Sequence, residues 1–122
     1  MNINFFTLYL SAIEPSLTFY RDTLGLRVVR DFSPASFLRI VFLQGEGAGQ
    51  IELIENKKQP AAEGHNCCSH VSIGIQVADI EAIYKKMQDR QVKITREFLQ
   101  PERGPKMFFI EDPNGIEIEF IQ

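Results

Sequence analysis

Apolar residues recur along this chain with two different periods, and the switches between them mark out its elements. Asn2 to Leu10 mixes aromatic and branched residues in partial alternation, as a half-buried strand does, until Glu14-Pro15-Ser16 resets the pattern. Leu17, Tyr20 and Leu24 then share a helical face, Pro15 suits the first helical turn, and Gly25 suits a left-handed cap after Leu24. Three strands are predicted next, at Arg27 to Phe32, Ser36 to Leu43 and Gln50 to Ile54, separated by Ser33-Pro34 and by the flexible run Gly45-Glu46-Gly47-Ala48-Gly49.

Asn56 to Asn66 is polar, carries Lys57, Lys58 and Pro60, and has no apolar period, so it reads as a linker. The same order of elements then restarts. His70 to Val77 alternates as a half-buried strand, and Asp79 is placed to cap a helix in which Ile80, Ile83, Tyr84 and Met87 fall at helical spacing. Val92 to Leu99, Lys106 to Ile110 and Ile116 to Ile121 supply three more strands, joined by Pro101-Glu102-Arg103-Gly104-Pro105 and by the turn Asp112-Pro113-Asn114-Gly115. The chain therefore states one half-domain twice, closing the first copy with Gln50-Ile51-Glu52-Leu53-Ile54-Glu55 and the second with Gly115-Ile116-Glu117-Ile118-Glu119-Phe120.

A duplicated half-domain is expected to place a cleft between its copies, lined by equivalent positions from each. Strand parity puts Val71, Ile73, Ile75 and Val77 on the helix side and His70, Ser72, Gly74 and Gln76 on the other face. The same parity sends Glu117 and Glu119 to the open face of the last strand. In the first copy it sends Phe5, Thr7, Tyr9 and Glu52 there, with Phe6, Leu8 and Leu10 on the helix side. On this reading Phe5 corresponds to His70, and Glu52 to Glu119.

Composition narrows the function classes. At 122 residues the chain is the size of one compact domain. A formal charge of -3 with mixed acids and bases offers no basic stripe for nucleic acid. No apolar run approaches the roughly 20 residues of a membrane span, and Met1 to Leu10 has neither the cationic start nor the cleavage site of a signal peptide, so a cytoplasmic location is expected. Cys67 and Cys68 are adjacent, which offers no framework of distant cross-links and makes reduced thiols the expectation. His65, Cys67, Cys68 and His70 match no paired zinc spacing, and the two cysteines are read as structural, with no chemical role assigned. Ten phenylalanines without tryptophan suit either an aromatic core or a nonpolar pocket.

Ser16 to Leu26, with its Phe19-Tyr20 and Leu24-Gly25, the strand from His70, and Glu111 to Phe120, with its Asp112-Pro113 and Gly115, together resemble the vicinal oxygen chelate superfamily over nearly the whole chain. That superfamily includes glyoxalase I, extradiol dioxygenases, and fosfomycin- and bleomycin-resistance proteins. The resemblance implies an α+β fold: one domain over 1–122 built of two tandem βαβββ modules, about 1–55 and 67–122, their strands curling as a mixed sheet around a cleft with helices on the outer face. It also implies a homodimer that sometimes exchanges modules between chains.

In metal-dependent members, ligands come from the first strand of each module and from the closing strands, here matched to Phe5, Glu52, His70 and Glu119. A phenyl ring donates no lone pair, whereas a catalytic divalent metal usually takes three protein donors and keeps open positions. Two readings stay open. In one, Glu52, His70 and Glu119 hold Mn, Fe, Ni or Zn for a lyase, isomerase or dioxygenase, and Glu119 transfers a proton as a glyoxalase-like isomerisation requires. In the other, slightly preferred, no metal binds: Phe5, Thr7, Tyr9, Ser72 and neighbouring apolar groups enclose a small organic ligand, while His70 and Glu119 supply hydrogen bonds. Phe5 argues against strict glyoxalase I activity on either. Arg39, Arg103 and Lys106 are candidates to hold an anionic substrate, Arg103 from a loop that in relatives often covers the cleft entrance, although most such residues are solvated surface charges.

Overall fold

The computed structural model describes residues 3–59 and 71–122. His65, Cys67, Cys68 and His70 therefore lie outside the described residues. Backbone contacts divide the chain into two compact units, Met1–Gly64 and His65–Gln122. No helix of the described residues is long and apolar enough to cross a membrane.

The first unit runs β1 (Phe5–Leu10), α1 (Ile13–Leu17), a π-helical segment Thr18–Thr23, β2 (Arg27–Ala35), β3 (Leu38–Gln44) and β4 (Gln50–Asn56). The second runs β5 (Ser72–Gln76), α2 (Ile80–Asp89), β6 (Ile94–Leu99), β7 (Met107–Glu111) and β8 (Glu117–Ile121). Each unit is thus βαβββ, and each forms one four-stranded mixed sheet, ordered β1-β4-β3-β2 and β5-β8-β7-β6. The opening strand pairs in parallel with the closing strand, and the remaining pairs are antiparallel. The fold is α+β, as expected.

Strand register makes the repeat quantitative. Thr7 lies opposite Glu52 and Glu52 opposite Phe42; Gly74 lies opposite Glu119 and Glu119 opposite Phe109. A constant shift of 67 residues relates Phe5 to Ser72, Thr7 to Gly74, Phe42 to Phe109 and Glu52 to Glu119. Helix placement obeys the same shift. The first helical amide of α1, Ile13 N–H, donates to Glu55 Oε2 at 2.8 Å, and that of α2, Ile80 N–H, donates to Gln122 Oε1 at 2.8 Å. In both units the side chain ending the closing strand satisfies an amide that the helix itself leaves unpaired.

Apolar burial follows the predicted parity. Leu10, Ile13, Leu17, Tyr20, Val41, Leu43 and Leu53 are buried in the first unit; Ile80, Met87, Phe108, Ile110, Ile118 and Phe120 are buried in the second. Phe108 centres an aromatic cluster, 4.9 Å from Phe120, 5.2 Å from Tyr84 and 5.5 Å from Phe98 between ring centroids. Phe6 and Val71 depart from their assigned role under the helix: they are 57% and 55% exposed, because Phe6 lies near the start of β1 and Val71 just before β5, both edge strands whose helix-side cover does not reach that end.

Local chemistry explains the boundaries. Asp79 caps α2, its Oδ1 accepting from Ala82 N–H at 2.9 Å. The first helix begins at Ile13, earlier than its apolar face predicts, and widens from Thr18: Leu24 N–H donates to Phe19 O at 3.0 Å and Leu26 N–H to Tyr20 O at 2.9 Å. Gly25 ends it with φ 83°, the left-handed cap predicted. In the second unit Val92 N–H reaches Met87 O, one residue nearer, so the π-helical segment holds one residue that α2 lacks. Ser33-Pro34 does not end β2, which continues to Ala35 with an irregularity between Phe32 and Ala35; proline is accommodated because β2 is an edge strand. At the predicted turn, Asp112 Oδ1 accepts from Asn114 N–H and Ile116 N–H, and Gly115 takes φ 80°.

Candidate functional site

The face of the first sheet opposite α1 is built in transverse rows. Thr7, Glu52, Phe42 and Arg30 are successive register partners across β1, β4, β3 and β2. The next row is Tyr9, Ile54, Ile40 and Phe32. Thr7 Oγ1 donates to Glu52 Oε2 at 2.5 Å, which fixes the carboxylate and leaves its second oxygen available. The Phe5 ring meets Phe42 edge-on, centroids 5.4 Å apart and planes at 88°. Phe42 is 8% exposed, Phe5 46% and Tyr9 72%, so an aromatic floor is edged by accessible rings. The Arg30 guanidinium lies 4.8 Å from the Phe32 centroid and 5.5 Å from that of Phe42.

Arg30 reaches this face through a bulge. Arg27 and Val28 pair with Gln44 and Leu43, but the next registered pair is Arg30 with Phe42, so Val29 is the extra residue and parity inverts after it. Alternation counted from Arg27 would assign Arg30 to the opposite face, and the sequence reading gave Arg30 no role. Aromatic residues at both Phe32 and Phe42 were the available signal.

The second sheet repeats the row as Gly74, Glu119, Phe109 and Arg96, with Thr95 as the extra residue. Arg96 stacks closely, its Cζ 3.5 Å from the Phe109 centroid, and its Nη2 lies 2.7 Å from Glu117 Oε1. Ser72, opposite Glu117, is exposed on this sheet's edge strand. Glu119 faces Gly74, which has no side chain to donate, and among the described residues its carboxylate makes no hydrogen bond.

Register corrects one expected equivalence. Phe5 lies opposite Gln50 and Ser72 opposite Glu117, so the counterpart of Phe5 is Ser72, with His70 two positions further upstream. Periodicity fixed which face each residue takes but not the count along the strand, and a slip of two preserves parity. Neither Phe5 nor Ser72 is a usual divalent-metal ligand, and among the described residues no three His, Cys, Asp or Glu side chains converge. The residues at the two first-strand positions do not fit the metal-dependent pattern.

The other predicted cations divide. Arg39 is committed to Asp31, at 3.1 Å through Nε and 2.8 Å through Nη2, and to Glu14 on α1. Hydrogen bonding from Arg39 holds the Asp31 carboxyl below the usual aspartate range, and Asp31 and Glu14 together raise the guanidinium. Lys106 pairs with Glu81, whose carboxyl it lowers by the same means, and also lies 4.5 Å from the Phe98 centroid. These two ion pairs are 67-residue equivalents: each ties a helix start to the beginning of the third strand of its unit, Arg39 within β3 and Lys106 immediately before β7. Arg103 is exposed in the loop between β6 and β7, and makes no ion pair among the described residues. A cavity of about 290 Å³ in the first unit is lined by Ile13, Glu14, Arg39, Glu55 and Lys57, on the helix side, away from Phe5, Thr7 and Glu52.

Residues 2–120 match the sequence profile of the Glyoxalase/Bleomycin resistance protein/Dioxygenase superfamily. A lactoylglutathione lyase from Haemophilus influenzae is 33% identical over 115 residues, spanning 90% of this chain and 84% of that protein. A metallothiol transferase FosB from Staphylococcus saprophyticus is 25% identical over 118 residues, spanning 97% and 74%. Among solved structures, the glyoxalase family protein from Enterococcus faecalis superposes with a TM-score of 0.77 at 20% identity, over 99% of this chain and 97% of that one.

Proposed function

Because the chain belongs to the Glyoxalase/Bleomycin resistance protein/Dioxygenase superfamily, we propose that it binds a small organic molecule and does so without strict glyoxalase I activity. The carrying observation is the pair of opening strands. Where the metal-dependent pattern places its first ligand in each module, this chain has Phe5 and, by register, Ser72. A phenyl ring cannot ligate, and a neutral alcohol is a weak ligand for the ions such sites hold. What the positions do supply is an aromatic floor of Phe5 and Phe42 with polar anchors at its margin, the composition of a small-molecule site. Thr7, Tyr9, Ser72 and Arg103 are part of the proposed ligand-binding set.

The alternative is a lyase, isomerase or dioxygenase that holds a divalent metal on Glu52, His70 and Glu119. It draws support from the relative that is a lactoylglutathione lyase. A homodimer belongs to either reading, and size-exclusion chromatography with light scattering tests it.

The deciding experiment is the Mn, Fe, Ni and Zn content of tag-free protein, with a Glu119→Gln variant beside it. We expect substoichiometric metal, unchanged by the substitution, and no lactoylglutathione lyase activity after incubation with each ion. Metal near one equivalent per chain, lost in Glu119→Gln, overturns the metal-free reading in favour of the alternative.

A further inference from the structure

We propose that Arg30 is an anion anchor and that the ligand of the first sheet is a small organic acid, a carboxylate on an apolar body. This deepens the small-molecule reading and rests on it. Arg30 is exposed on the strand yet oriented, its guanidinium held over Phe32 and Phe42. Contact with the rings spends no N–H donor, and among the described residues Arg30 makes no hydrogen bond, so its donors remain for an oxyanion, which a guanidinium can grip with two parallel hydrogen bonds. Among the described residues no carboxylate lies within ion-pair distance of it.

The second unit shows what this fork takes. Arg96 is the register equivalent of Arg30, its Cζ 3.5 Å from the Phe109 centroid, and its Nη2 donates to Glu117 Oε1 at 2.7 Å. The register equivalent of Glu117 in the first unit is Gln50, its neutral isostere, which hydrogen-bonds weakly to Gln44 at 3.4 Å. One copy of the row thus carries an internal counter-ion, and the other carries the same arginine without it. A carboxylate from outside supplies the missing group.

The row also sets the orientation of the ligand. Arg30 and Glu52 flank Phe42 on either neighbouring strand, about 10 Å apart at the backbone. An acid bound at Arg30 lays its apolar body on Phe42 beside Phe5 and directs its far end towards the Glu52 oxygen that Thr7 leaves open. Glu52 repels a second negative charge and accepts from a hydroxyl or amine, so binding in the reverse sense is disfavoured.

The test titrates ¹⁵N-labelled protein with phenylacetate and with its neutral isostere phenylacetamide, in the wild type, Arg30→Gln and Gln50→Glu. The acid is expected to shift the signals of Phe5, Phe42 and their neighbours at least tenfold more tightly than the amide. Arg30→Gln removes that advantage, and Gln50→Glu removes it with the arginine still in place by supplying the internal carboxylate. Equal binding of acid and amide, or retention of the advantage in both variants, overturns the anchor and leaves small-molecule binding standing. Shifts from neither probe overturn the anchor and count against the broader reading as well.

Discussion

Thr7 donates its hydroxyl hydrogen to Glu52 across the parallel β1–β4 pair, and the equivalent of Thr7 in the second unit is Gly74, opposite Glu119. The two closing-strand glutamates therefore sit in unlike surroundings despite identical register. Thr7→Val is expected to cost about 1 kcal/mol, the usual worth of one such bond. Gly74→Thr is expected to be tolerated or mildly stabilising, since a Cβ there meets only Ile121 Cδ1 at 3.7 Å and glycine weakens a strand. Urea denaturation of both variants checks this; a loss on Gly74→Thr as large as that on Thr7→Val would contradict it.

Asp79 caps α2, whereas Ala12, its equivalent before α1, makes no side-chain cap bond. The reason lies three residues on: Ala82 supplies the N–H that Asp79 accepts, and the matching position in α1 is Pro15, which has none. Asp79→Ala should cost about 1 kcal/mol, and Ala12→Asp should not return a comparable gain. Thermal melts of the two variants measure the asymmetry.

Gly25 and Gln91 close the two helices in the same left-handed region, at φ 83° and 57°. Glycine carries no steric cost there and glutamine does. Gly25→Ala is expected to destabilise by about 1–2 kcal/mol, and Gln91→Gly to stabilise by up to about 1 kcal/mol. Denaturation midpoints moving in the same direction would refute this account of the caps.

Among the described residues, Thr95 holds the buried side-chain oxygen without a hydrogen-bond partner. Thr95 is the bulged residue of β6, and the bulged residue of β2 is Val29. Thr95→Val copies the first unit, removes the unpaired hydroxyl and should raise stability by about 1 kcal/mol. A destabilised Thr95→Val would mean that the hydroxyl has a partner after all.

Asp31 titrates below the ordinary aspartate range because Arg39 hydrogen-bonds its charged form. A folded-state pKa depressed in this way contributes stability that is present above the unfolded value and lost as pH falls through the folded one. In Arg39→Met the Asp31 midpoint should rise towards the ordinary value, stability near neutral pH should fall, and the further loss of stability in acid should shrink, because the folded and unfolded values then nearly coincide. Carboxyl-carbon NMR follows the midpoint, and an unmoved one would discount Arg39 as its cause.

The duplication, the closing strands, the Asp79 cap, the Gly25 terminus and the inward face of β8 were all legible in the sequence, because each rests on local chemistry or on a period that runs unbroken. Arg30 was not. A bulge inverts parity after Val28, and nothing in Arg27-Val28-Val29-Arg30 announces which residue is extra. The pairing of Phe5 with His70 failed for a related reason: alternation is blind to a shift of two, and only hydrogen-bonded register identifies Ser72. Phe6 carries the right parity for burial, but how far a helix covers an edge strand is a property of packing rather than of period.

The π-helical segment gives the first unit one residue more than the second between Tyr20 and Gly25, and the irregularity between Arg96 and Leu99 gives one back to the second. The stretch from Gly25 to Arg30 is thus a phase slip with two ends: out of step by one with its counterpart, and in step on either side. Removing a single residue from Thr18–Thr23 would convert the wide turn to an ordinary one without disturbing β3, β4 or the partners of Glu52. Length in this half-domain is adjustable at the helix end and the outer strand, while the strands that carry its carboxylates keep a common ruler.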